Sequence, residues 1–250
     1  MPAEDRNRTS PFPYGGHRFE FRALGSSENP CFVNTVLNAA VADAFARFAD
    51  AVEGGRAPRE VAGEALGASW RAIFNGDGYS AEWRAEAERR GVWRIDSGVE
   101  ALDRLGADKN AALFERLGVF SRTETAARRA VLLQHYAGTV EMEAAVMVDM
   151  IAQRIAPAVK AAGQDAAPLA AAAEAVAAKL AAVHHEADPL RRAALARELR
   201  LDTMTAARRV VDEAEGRCPA DKWPLATYEE LLFLDSNQDA FGRTVRPYAA

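Results

Sequence analysis

The sequence predicts a mainly α protein: one short strand near the beginning, then a series of helices, the last of them long and antiparallel. Three observations carry this expectation. Apolar residues recur at spacings of three and four along most of the chain, which is the helical period. Residues 17–23 alternate as a strand does. Beyond Ser121, long Ala-rich stretches are punctuated by Pro and Gly at positions that suit helix ends.

Residues 1–16 are rich in Pro, Gly and polar groups and read as a loop. In the strand that follows, side chains two apart share a face, so Arg18, Glu20 and Arg22 project one way and Phe19 and Phe21 the other. A turn at Gly25–Pro30 leads to a helix from Cys31 to about Val52. Phe32, Val33, Val36, Leu37, Ala40, Val41, Ala44, Phe45 and Phe48 are expected to give it a broad buried face, and Gly54-Gly55 to end it. A shorter helix is expected from Pro58 to about Leu66. The turn signals Asn75-Gly76 and Asp77-Gly78 come next, and Ser80 starts a helix that runs through Trp83 to Arg90. Short helices at Gly98–Leu105 and Lys109–Leu117 complete a first region, 1–120.

Residues 121–216 read as a helical hairpin or small bundle. One helix spans about 123–159, ended or bent by Pro157, and two more cover 168–184 and 189–215. Residues 217–250 read as a packing segment and tail, in which Trp223–Phe233 is expected to pack back onto another part of the fold, the upstream half being one option.

Composition excludes several classes. With 31 basic and 36 acidic residues among 250, the net charge of -5 supplies no general attraction to nucleic acid or to anionic lipid. Cys31 and Cys218 lie far apart and suggest a reducing compartment without a disulfide framework. The start lacks the apolar run of a secretory signal, and the Ala-rich stretch 161–182 is interrupted by charges and Pro, so a cytoplasmic protein with no membrane partner is expected. No phosphate-binding Gly-x-x-x-x-Gly-Lys loop, Gly-x-Ser-x-Gly elbow or His-Glu-x-x-His is present. Asn75-Gly76-Asp77-Gly78 lacks the alternating oxygen donors and final Glu of a calcium loop. His184 and His185, adjacent on a helix, point about 100° apart and are poorly placed to share a metal.

The candidate chemistry lies in the strand. Two guanidiniums flanking a carboxylate, with aromatic anchors behind, suit a site that holds a divalent metal and phosphate oxygens together. Six blocks then fall into a recognisable order: Asn7-Arg8-Thr9-Ser10-Pro11-Phe12, Arg18–Arg22, Gly25-Ser26-Ser27, Asn34–Asn38, Ile73–Ser80 and Trp223–Phe233. In order and spacing they resemble the type III branch of glutamine synthetase, over about the last third of a family member. The resemblance implies a fragment of that family's α+β catalytic domain followed by long antiparallel helices. It also implies ATP-dependent joining of glutamate and ammonia through γ-glutamyl phosphate, with Mg²⁺ or Mn²⁺. By the same resemblance Glu20 is the metal-binding carboxylate, Arg18 and Arg8 approach the nucleotide phosphates, and Arg22 faces the transferred phosphoryl group and is catalytic.

Pro13 stands where the shorter branches carry a further arginine, His17 where the long branch usually has Asn, and Glu28-Asn29-Pro30 is closer to the short branches. The family's other metal-binding carboxylates, its ligand histidine, its ammonia-site acid and its β-grasp domain precede the matching blocks. The chain alone is therefore expected to be inactive and to be completed by an upstream synthetase fragment or by homo-oligomerisation. The alternative is a non-enzymatic helical interaction protein that binds intact synthetase subunits.

Overall fold

Helices dominate the computed structural model, which describes residues 12–16, 18–22 and 29–232. The chain divides into two units, Met1–Arg129 and Ala130–Ala250.

In the first unit α1 covers Cys31–Glu53. The Asn29 side chain accepts the Cys31 backbone N–H at 2.9 Å, so Asn29 satisfies an orphan donor while Pro30 takes the cap position. The helix ends at Gly54-Gly55, where Gly55 adopts φ 93°, a conformation only glycine takes without strain. α2 runs Pro58–Ser69 and continues as a 3₁₀ turn to Ala72, longer than the spacing suggested. α3 (Ala81–Arg89) and α4 (Gly98–Leu105) start on the hydroxyls of Ser80 and Ser97. α5 spans Asp108–Arg116. At Ser121 and Glu124 a reciprocal capping box starts the next helix, with Ser121 N–H to Glu124 at 2.7 Å and Glu124 N–H to Ser121 at 3.2 Å.

The expected burial of α1 is not found. Of its residues only Ala39 is buried, while Val33, Val36, Val41, Phe45 and Val52 are exposed. Helical spacing identifies an apolar face correctly, but spacing carries no information about what covers it.

The second unit is built from three antiparallel helical runs. α6 (Arg122–Met150) passes through a π-turn at Ile151–Ile155 into α7 (Ala156–Ala161). Pro157 therefore neither ends the helix nor breaks it. Its ring would collide with the carbonyl four residues back, that of Gln153, and the wider π-turn that contains Gln153 opens the required space. α8 covers Ala167–His185. α9 (Pro189–Glu198) joins α10 (Met204–Glu215) through a second π-turn at Leu199–Thr203.

Two core clusters fix the directions of the helices. Ala137, Val140 and Ala144 of α6 meet Val176 and Val183, late in α8, and Ala196, Leu199 and Ala207. Ile151, Ile155 and Val159 meet Leu169 and Ala173, early in α8, together with Val211 and Ala214 of α10. The order along α8 is thus reversed relative to both neighbours. α8 is also the one described helix long and apolar enough to cross a membrane by length and composition; here its Leu169, Ala173, Val176 and Val183 are buried in this core. A chelated ion pair braces the bundle from outside, Arg192 to both oxygens of Glu141 at 2.7 and 2.6 Å. Trp223 and Leu225 pack on the second cluster, within this unit.

Leu199 is fully buried where the π-turn meets α6 and α8, so Leu199→Ala should cost about 2–5 kcal/mol. Arg192→Ala, which strands a half-buried Glu141, should cost about 1–2 kcal/mol. Urea titrations followed by circular dichroism would test both values.

Candidate functional site

Of the segment predicted as a strand at 17–23, the described residues 18–22 take part in one isolated antiparallel bridge, Tyr14 with Phe19, while His17 and Ala23 lie outside the described residues. The Gly15 N–H donates to the Arg18 carbonyl at 2.7 Å, and the Glu20 N–H donates to the Pro13 carbonyl at 3.1 Å. No sheet accompanies the bridge among the described residues, and a lone two-stranded ribbon sustains little regular pairing. The pairing partner has a local signal in the sequence: Gly15-Gly16, between Tyr14 and His17, is a hairpin turn signal within the Pro- and Gly-rich segment 1–16.

The alternation of faces is nevertheless observed. Phe19 stacks on Phe12 with centroids 5.2 Å apart, and Phe21 meets the same Phe12 ring edge-on at 6.1 Å. Tyr14 also leans on Phe19 at 5.1 Å. Both phenylalanines therefore share one side. Arg22 and Glu20 are joined by an ion pair of 2.9 Å, with Arg22 the more buried of the two. Arg18 is exposed. Arg8 lies outside the described residues. The aromatic group is itself uncovered: Phe12, Tyr14, Phe19 and Phe21 are all about half exposed or more.

Glu20 is engaged by Arg22, and no three His, Cys, Asp or Glu side chains converge among the described residues. A divalent ion of the magnesium class takes six oxygen ligands. One carboxylate already paired with a guanidinium does not fit that requirement, so the described residues do not by themselves form a metal centre. What they offer is a guanidinium oriented by a carboxylate, an arrangement able to receive phosphate oxygens.

A second ordered cluster surrounds Ile73–Ser80. Phe74 stacks on Trp83 at 4.2 Å, and Arg90 lies over the Trp83 ring at 5.5 Å while donating to the Ile73 carbonyl at 3.0 Å. Glu86 receives Arg89 at 2.7 Å and Arg90 at 2.5 Å, and these bonds, that from Arg89 first, hold its carboxyl down to about 2. Asp77 accepts the Tyr79 N–H at 2.9 Å, which closes the turn. A methyl group at Gly76 would sit 2.7 Å from the Phe74 ring, so the glycine is required by the aromatic stack. The double turn is structural.

Residues 57–173 match the family model of the glutamine synthetase C-terminal domain. Over these residues the chain is similar to glutamine synthetases. The type-3 glutamine synthetase of Dictyostelium discoideum is 34% identical over 161 residues, covering 62% of this chain and 22% of that protein. The glutamine synthetase of Bacteroides fragilis is 38% identical over 165 residues, covering 63% and 23%. That of Butyrivibrio fibrisolvens is 32% identical over 152 residues, covering 59% and 22%. The chain thus spans less than a quarter of the length of the curated relatives it matches. The family-model match, residues 57–173, includes the Ile73–Ser80 cluster, the capping box and most of α6–α8. Arg8, Arg18, Glu20 and Arg22 precede it.

Two outcomes follow for the Trp83 cluster. Gly76→Ala should displace Phe74 and cost about 1–3 kcal/mol. The Glu86 carboxyl titrates lower in the folded chain than the ordinary 4.5, so its stabilising pairs are intact above that value and are lost as pH falls toward about 2. The depressed carboxyls of Glu82, Asp96 and Glu124 in the same unit act in the same direction. Tryptophan fluorescence titrated downward from pH 5 should show this loss, and Glu86→Gln should weaken the dependence.

Proposed function

We propose that this chain is the carboxy-terminal portion of an ATP-dependent glutamate–ammonia ligase. On this reading Arg18 and Arg8 receive nucleotide phosphates, Arg22 faces the transferred phosphoryl group and the glutamate, and Glu20 orients Arg22. Phosphoryl transfer spreads negative charge over equatorial oxygens, and planar guanidiniums answer it with directed pairs of donors. The ATP, the divalent ions and the remaining ligands belong to a site completed by the portion of the synthetase that precedes these residues in the relatives.

One observation carries the reading: the arginine-bearing turn and α1 together expose the apolar surface that such a portion would cover. Phe12, Phe19, Phe21, Val41 and Phe45 are exposed, and α1 has no charged residue from Cys31 to Ala42. Surfaces of this kind are contact surfaces. The similarity to glutamine synthetases over residues 57–173 supports the upstream portion of a synthetase as that partner.

Residues 1–250 alone, given ATP, glutamate, ammonium and Mg²⁺, should release no phosphate above background. Co-expressed with the upstream portion of the Bacteroides fragilis synthetase, the chain should co-purify and support glutamine formation. Arg22→Ala should then lower kcat/KM by about a hundredfold or more, and Arg18→Ala should raise the KM for ATP. Co-purification with intact synthetase, but no arginine-dependent turnover in any combination, would support the interaction-protein alternative instead.

A further inference from the structure

Glu20 stands between the two described arginines that the ligase reading assigns to phosphate, and it is already bound to one of them. Its carboxylate accepts from Arg22 Nη2 at 2.9 Å. The turn itself puts the acid there. The Glu20 N–H donates to the Pro13 carbonyl at 3.1 Å, which fixes the backbone of this residue. The alternation that sends Phe19 and Phe21 to the aromatic side leaves Arg18, Glu20 and Arg22 on the other, with the acid in the middle. The stem of Arg18 runs back along the same turn, where a methyl group on Gly15 would lie 3.4 Å from its Cγ.

To a guanidinium, a carboxylate and a phosphate offer the same thing: oxygen acceptors for its planar donors. Glu20 therefore occupies Arg22 as a phosphate oxygen would. The Arg22 side chain is 19% exposed and that of Glu20 52%, so the acid stands on the solvent side of the pair, across the path of an arriving anion. Its charge also repels phosphate from the arginine face as a whole. Among the described residues this face lacks the ligands of a divalent ion, yet it is well arranged to keep anions off.

We propose that Glu20 is an autoinhibitory latch, which in the chain without its upstream portion closes Arg22 to the polyphosphate chain of a nucleotide. The carboxylate that orients Arg22 in the proposed site is then the group that shields it beforehand. A pair this exposed is weak, so a multiply charged ligand in a completed site can displace it. The inference rests on the reading of Arg18 and Arg22 as receivers of phosphate, and it needs no ligase turnover.

Calorimetric titration of the full chain with inorganic tripolyphosphate, in EDTA at low ionic strength, tests the latch. Glu20→Gln keeps the shape of the side chain and removes its charge, and should bind tripolyphosphate about fivefold tighter than the native chain. Adding Arg22→Ala to Glu20→Gln should abolish the gain. Glu53→Gln makes the same change of net charge at an exposed acid on the last turn of α1 and should leave the affinity unchanged. Equal affinity of the native and Glu20→Gln chains, or no binding by either, would overturn the proposal. So would a gain that survives Arg22→Ala or is reproduced by Glu53→Gln. Equal affinity that Arg22→Ala still abolishes would remove the latch and leave Arg22 as a phosphate receiver, while the ligase reading is decided separately by turnover on co-expression.

Discussion

Close approach of helices across small side chains is the constraint on which the second unit rests. Ala137, Ala144, Ala196 and Ala207 are buried beside Val140, Val176 and Leu199, so the helix axes come near enough for each valine or leucine to fill the space its alanine neighbours leave. Such a seam tolerates neither a larger residue nor a change of register. Both π-turns follow from holding it. The first lets the helix continue past Pro157 with Ile151, Ile155 and Val159 still facing α8, and the second keeps Leu199 in the core where α9 becomes α10. Deletion of any of the large buried groups therefore leaves a cavity that rigid neighbours cannot close.

The first unit is held differently. Among the described residues its buried hydrophobic side chains are few: Ala39, Val61, Val99, Ala111 and Phe114. In place of a deep core it uses arginines, with Arg116 on Asp43, Arg56 on Glu64, Arg129 on Asp103 and Arg122 on both Asp108 and Glu115. Cation–π contacts add Arg104 and Lys109 over Trp93 and Arg128 over Phe120. Exposed ion pairs contribute typically 1 kcal/mol or less apiece. They fix the orientation of short helices more than they stabilise them. Burial of the α1 face by a further portion of protein would add far more than the whole set of pairs.

Helix positions were legible in the sequence because their signals are local. Asn29-Pro30, Ser80, Ser97 and Ser121 start helices, and Gly55, Gly91, Gly118 and Gly163 end them in left-handed conformations. The side-chain alternation at Phe19–Arg22 was legible for the same reason. What could not be read depends on distant partners. The exposure of α1, the passage of Pro157 and the docking of Trp223 on the second core cluster are decided by tertiary packing, to which a local period is blind. Arg22 and Glu20 pair with one another here, as a carboxylate and a guanidinium two apart on a turn do when nothing else competes.

That pairing bears on how the proposed site becomes active. A phosphoryl-transfer site requires its donors to be fixed closely, within a fraction of an ångström, before substrate arrives. A turn with a single bridge and exposed aromatic anchors cannot impose this alone. Covering Phe12, Phe19 and Phe21 would immobilise the turn, and the arrival of metal ions or phosphates would compete with the Glu20–Arg22 pair for both of its members. Assembly and chemistry then become one requirement: the contacts that bury the apolar surface of the first unit are the contacts that would hold its arginines in place.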